Sequence, residues 1–252
     1  MTTQKIPAIS GLHWIKKGLE IFRKNPTVFI KFSLIINIFT ILSLKLLTIG
    51  IILKIILTPL FCFIGIVCGQ SIANNDINYI KQTINVYSIK KGIKIGLLYM
   101  GICLTITILS TITLSKEINN FIGEIKSIGL NQESINNFAN YLIIPIMTTT
   151  ISILIFGVLL IFSTSIAVLY KNNLLKSMIL SSILVWSNKK AFLVYILLWS
   201  SIYILIEILT IFTYQTFLNK LDYFIVSFTA QIIKDSFFYS SLYPVYLDVI
   251  RK

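Results

Sequence analysis

The sequence predicts an all-α integral membrane protein: about six transmembrane helices, with amphipathic surface helices on the cytoplasmic side. Three observations point there. Of 252 residues, 56% are hydrophobic and only 12% charged, about half the roughly 25% charged of an ordinary soluble domain. Residues 46–73, 95–114, 142–170 and 191–212 carry almost no charge, and a helix crossing about 30 Å of hydrocarbon needs roughly 20 such residues. The basic residues, finally, fall in short clusters between these runs, as they do in the cytoplasmic loops of membrane proteins. A net charge of +13 would suggest nucleic acid in a soluble chain. Distributed this way it suggests contact with the lipid bilayer and its anionic headgroups at the cytoplasmic face, and no nucleic-acid partner is expected.

Residues 1–26 form an N-terminal amphipathic unit and residues 27–252 the membrane domain. The first unit holds Lys5, Lys16, Lys17, Arg23 and Lys24 but no uninterrupted apolar core, so a cleavable secretory signal is not expected. Over 10–24, with Ser10 as N-cap, Leu12, Ile15, Leu19 and Phe22 join Trp14 and Gly18 in an apolar stripe, a pattern suited to lying at the headgroup boundary or, alternatively, to packing on the loops of the protein. Asn25-Pro26 ends this helix and opens the next. Span one covers 27–45, with Lys31 able to reach back to the headgroups. Span two covers 48–73. Thr58-Pro59 removes a backbone hydrogen bond within it and is expected to bend it, and Gly65 and Gly69 have the GxxxG spacing that admits a second helix closely.

Residues 74–94, with Asp76, Lys81, Lys90, Lys91 and Lys94, suggest a second surface helix. Span three covers 93–114, and Gly92, Gly96 and Gly101 near one face at its start suggest a helix contact. The polar stretch 115–140, with Ile118, Phe121, Ile122 and Ile125 at helical spacing, predicts one or two amphipathic helices on the outer face. Span four covers 142–169, with Pro145 near its start. A further surface stretch, 171–190, precedes span five (191–212), and span six (223–246) ends at Arg251-Lys252. Lysine pairs before spans one, three and five give the chain a faint threefold order. With the N-terminus inside, sixteen basic residues fall on the cytoplasmic side and four outside, so both termini are expected in the cytoplasm.

Site chemistry is sparse. Cys62, Cys68 and Cys103 lie in apolar runs without CxxC spacing and suit packing. His13 stands alone, and the chain has no Walker loop, GxSxG or HExxH. Neither metal, cofactor nor enzymatic activity is expected. The informative residues are charges within the spans, each costing about 2.5–3.5 kcal/mol to insert: Lys54, Glu207, Lys234 and Asp235. Lys54 and Glu207 lie at similar depth near the outer ends of spans two and five, where they either pair or snorkel separately. Lys234 and Asp235 lie near the middle of span six, facing the bundle interior or a polar cavity lined by Gln231, Ser236 and Tyr239; alternatively an outer surface helix runs to Asp235 and a short, tilted segment follows from Ser236.

Gly11-Leu12-His13-Trp14-Ile15, Gly18, Phe22-Arg23-Lys24 and Asn25-Pro26 resemble the opening of an uncharacterised family of multi-spanning bacterial inner-membrane proteins. Thr58-Pro59-Leu60-Phe61 with Gly69 is similar to that family's second span, and Tyr246-Leu247-Asp248-Val249-Ile250 to its C-terminal end, although the arginine preceding the aspartate is missing here. The layout also distantly resembles the membrane domain fused to some bacterial glycerophosphodiester phosphodiesterases, an accessory to a separate catalytic domain. The resemblance implies a membrane module and no reaction. Two functions fit: a non-enzymatic organiser or assembly factor working with a membrane-protein partner, or a small transporter or permease using Lys234 and Asp235.

Overall fold

The structure, a computed structural model, describes residues 5–46, 48–128, 132–217 and 220–250. Among them are ten helices and no strand: α1 (Ser10–Lys24), α2 (Pro26–Lys45), α3 (Thr48–Ala73), α4 (Asn78–Thr83), α5 (Val86–Ile128), α6 (Gln132–Leu159), α7 (Ser163–Leu169), α8 (Leu174–Ser187), α9 (Lys189–Phe217) and α10 (Lys220–Ile250).

Five stretches are long and apolar enough to cross a membrane: Pro26–Ser43, Ile49–Ala73, Val86–Ile112, Pro145–Leu169 and Lys189–Thr213. Their outward faces carry exposed Leu104, Ile108, Ile151, Leu154, Leu205 and Ile208, an apolar surface that suits lipid and would be costly in water. Many hydroxyls along these helices turn back on their own backbone, as Thr105 does to the Gly101 carbonyl (2.9 Å) and Thr150 to that of Ile146 (2.9 Å), so these need no water at membrane depth; Ser33, Thr164 and Ser165, all buried, have no such bond. α10 is not among the five. Its 31 residues have the length to cross, but Gln231, Lys234, Asp235, Ser236, Ser240 and Ser241 dilute its apolar character. It packs against α1, α2, α3 and α9, where protein meets those polar groups. It is one continuous helix, so the expected alternative of a surface helix broken at Asp235 is not formed.

Small residues set the closest approaches. Gly65 and Gly69 of α3 lie against Tyr239 and Tyr243 of α10, and Gly92 and Gly96 of α5 lie against Leu60 and Ile56 of α3. Gly101 makes no such contact: a Cβ there would meet nothing within 4 Å.

α1 does not present its leucines to the core. Its buried residues are Gly11, Trp14 and Gly18, while Leu12 is exposed. A Cβ on Gly11 would come within 2.5 Å of the Ala191 carbonyl oxygen on α9, and one on Gly18 within 2.5 Å of Ser241 Cα on α10. Trp14, fully buried, fills the space between them with its ring centroid 5.3 Å from Phe192 and 5.9 Å from Tyr195. The helix is therefore docked on protein along this face. Ser10 lies inside it, and no side chain caps it.

Two polar stretches also fold differently from expectation. Within 74–94 only α4 stands apart, and α5 begins at Val86, so Lys90, Lys91 and Lys94 belong to the membrane helix itself. The start is fixed by a reciprocal cap: Asn85 Oδ1 accepts from the Ser88 N–H (3.0 Å) and Ser88 Oγ from the Asn85 N–H (2.9 Å). Beyond Ile112, α5 does not give way to a helix lying on the surface but runs on to Ile128, 43 residues in all, or about 65 Å at 1.5 Å per residue. α6 begins at Gln132, so the two helices form a hairpin that reaches beyond the apolar part of the bundle.

The fourth span is broken. α6 stops at Leu159 and α7 starts at Ser163, leaving backbone groups without helical partners. Ser181 of α8 supplies them: its Oγ donates to the Leu159 carbonyl (2.6 Å) and accepts from the Phe162 N–H (3.2 Å).

Contacts gather the basic segments at one end of the bundle. Trp14 Nε1 donates to Asp248 Oδ2 (2.9 Å), the Ile6 N–H to Asn188 Oδ1 (2.9 Å), and Lys91 Nζ to the carbonyls of Ala167 (2.7 Å) and Asn172 (3.1 Å).

Candidate functional site

Three of the four intramembrane charges, Glu207, Lys234 and Asp235, converge where α2, α9 and α10 meet. α10 presents Lys234 and Asp235, consecutive residues that point about 100° apart on a helix and so address different neighbours. Lys234, 2% exposed, forms an ion pair with Glu207 of α9. Its Nζ also lies 5.1 Å from the centroid of the Tyr203 ring, one turn earlier on α9, within the range of a cation–π contact.

Asp235 is held by three neutral donors from three helices. Asn37 Nδ2 of α2 donates to Oδ2 (2.8 Å), and the Tyr203 hydroxyl and Gln231 Nε2 each donate to Oδ1 (3.1 Å). The Asn37 amide also donates to the Ser33 carbonyl (2.9 Å), which fixes its orientation. Such bonds are what make an ionised carboxylate tolerable away from water. Tyr203 is the pivot, since its ring faces the lysine and its hydroxyl the aspartate.

Lys54 stays apart. It is exposed on α3, and the carboxylate of Glu207 is taken by Lys234 instead, because α9 packs beside α10 and α1. Of the residues expected to line a cavity there, Gln231 bonds Asp235, whereas Ser236 Oγ donates to the Ile232 carbonyl (2.7 Å) and the Tyr239 ring packs on Phe32 with centroids 4.9 Å apart. The sequence reading did not single out Asn37 or Tyr203. Asn37 could have been noticed as the one side-chain amide within 27–45. Tyr203 carried no signal, because tyrosines are common in this chain.

The arrangement can hold charge and hold helices together. Lys234, Glu207 and Asp235 sum to a formal charge of −1. Among the described residues no group of three or more His, Cys, Asp or Glu could bind a metal ion, and the three cysteines are free and buried.

Fold and site together define an all-α, multi-pass membrane protein with an ion-paired polar junction inside its helix bundle. No family model, curated protein or solved structure matches the chain.

Proposed function

We propose that this chain is a non-enzymatic organiser or assembly factor of a bacterial inner membrane, oriented with the Trp14–Asp248 end in the cytoplasm. One observation carries the reading. α5 continues sixteen residues past the membrane-length segment that ends at Ile112, about 24 Å of extra helix, and on this polar extension Ile122 remains 44% exposed. A rigid bundle displaying a hairpin with an uncovered apolar residue suits the docking of another protein. The closed bonding around Lys234 and Asp235 supports the same reading, because it ties three helices together.

A photo-reactive residue at Ile122 is expected to give a discrete cross-linked protein band in native membranes, whereas the same residue at lipid-facing Ile108 gives none. Equal cross-linking from both positions would sink the reading.

A second reading, a small transporter or permease, is favoured by the net charge of the junction. One proton or monovalent cation would balance it, and intramembrane carboxylates often serve such pathways. Gradient-driven uptake into proteoliposomes, lost in Asp235→Asn, would establish it in place of the first.

A further inference from the structure

Away from the junction, at the basic end of the bundle, the beginning of α5 and the turn between α7 and α8 enclose a recess of about 510 Å³. Lys90, Lys91, Lys94 and Lys171 line it with Tyr87 and Asn172, and no acidic residue is among its lining. Four ammonium groups around one hollow repel one another, an arrangement that a bound anion relieves. The recess is also built. Lys91 Nζ donates to the Ala167 and Asn172 carbonyls and lies 4.8 Å from the centroid of the Tyr87 ring, which locks its charge at the wall. Lys171 adopts a left-handed backbone (φ 52°), unusual for a side chain with a Cβ, in the turn that closes the other side.

The surroundings identify the anion. One turn beyond Lys94 the surface of α5 becomes apolar at exposed Leu97 and Leu98, and beside Leu174 in the recess, α8 exposes Leu175 and Ile179. Charge above and uncovered hydrocarbon surface below match an amphiphile, and basic pockets between membrane helices take lipid headgroups. We propose that this recess is a specific site for an anionic phospholipid, with its phosphate among Lys90, Lys91, Lys94 and Lys171 and its acyl chains along α5 and α8. This site is independent of the organiser and transporter readings.

The test is native mass spectrometry of the full chain released from nanodiscs of phosphatidylcholine with a minority of phosphatidylglycerol. The wild type is compared with a K90A/K94A/K171A triple variant and a charge-matched K16A/K17A/K24A control. All six lysines are exposed, and an unchanged unfolding midpoint verifies that the variants fold. We expect the wild type and the control to retain phosphatidylglycerol, and the triple variant to retain at least about tenfold less, as three lost lysine contacts imply. Equal retention by the triple variant, equal loss in the control, or retention of phosphatidylcholine as readily as phosphatidylglycerol would overturn the proposal. Displacement of the lipid by millimolar inorganic phosphate would likewise replace the lipid assignment with one for free phosphate.

Discussion

Lys234 of α10 is 2% exposed, yet the side chain of its ion-pair partner, Glu207 of α9, is 55% exposed. The ammonium is enclosed by protein, whereas the carboxylate lies at the surface of the bundle, where lipid offers it no better partner than Lys234. Removing one partner of a buried pair is far costlier than replacing both. Glu207→Gln removes the charge opposite the enclosed ammonium and is expected to lower stability in detergent by about 1–3 kcal/mol, less than full loss of the partner because the glutamine oxygen can still accept from it. The double variant E207Q/K234M should recover most of that loss. A double-mutant cycle on unfolding midpoints checks it; strictly additive losses would show that the pair is not coupled.

Trp14 Nε1 is bonded to Asp248 across 234 positions of the chain. Trp14→Phe keeps most of the ring contacts but removes this hydrogen bond to a charged group, at a cost of about 1.5–3 kcal/mol. The expected result is faster tryptic cleavage at Lys16 and Lys17 as α1 lifts from the bundle. Gly11→Ala should act in the same direction, since the added methyl would meet backbone. Cleavage at the wild-type rate in both variants would mean that α1 is held by something else.

At the break between α6 and α7 a single hydroxyl serves two backbone groups. Ser181→Ala leaves both unsatisfied and is expected to cost about 1–3 kcal/mol. Ser182→Ala removes only a bond to the Met178 carbonyl within its own helix and should stay within about 0.5 kcal/mol. Thermal unfolding of the two variants side by side measures the contrast, and equal midpoints would remove Ser181 from its bridging role.

Asn85→Ala deletes the cap of α5 and should cost about 1 kcal/mol. The loss is local, so it should appear first as faster amide exchange at residues 86–89. Exchange unchanged there would contradict the capping geometry.

Membrane sidedness can be read directly in a cysteine-free background. A single cysteine at Ser127, on the far extension of α5, is expected to label from outside the cell, and one at Ser187 only from inside. The reverse pattern would invert the proposed orientation.

The all-α membrane class is legible in the sequence because apolar runs report burial in anything but water. The same fact limits the reading. Hydropathy does not distinguish a face meeting lipid from one meeting protein, so the apolar stripe of α1 reads as suited to the headgroup boundary although Trp14, Gly18 and, beside them, Gly11 meet α9 and α10. Lys90, Lys91 and Lys94 suggest a separate surface helix, although long side chains at the end of a membrane helix can turn toward water or, like Lys91, toward free carbonyls. The reciprocal pattern Asn85-x-x-Ser88, which the sequence reading did not use, is the signal that marks the true start of α5. For the junction, the costly charges could be found one by one, but not their partners. Asn37 and Asp235 are 198 positions apart, and no local periodicity encodes such a meeting.

The central position of α10 bears on how the protein is made. The helix against which α1, α2, α3 and α9 all pack leaves the ribosome after each of them. Until it arrives, Trp14 lacks its acceptor, Gly65 and Gly69 face no tyrosines, and Asn37 and Tyr203 have no carboxylate to bind. The pairings of α3 with α5 and of α5 with α6 can form before it, so the order of synthesis divides the bundle into a part that can assemble early and a part, holding α1 and the polar junction, that closes only with the last helix.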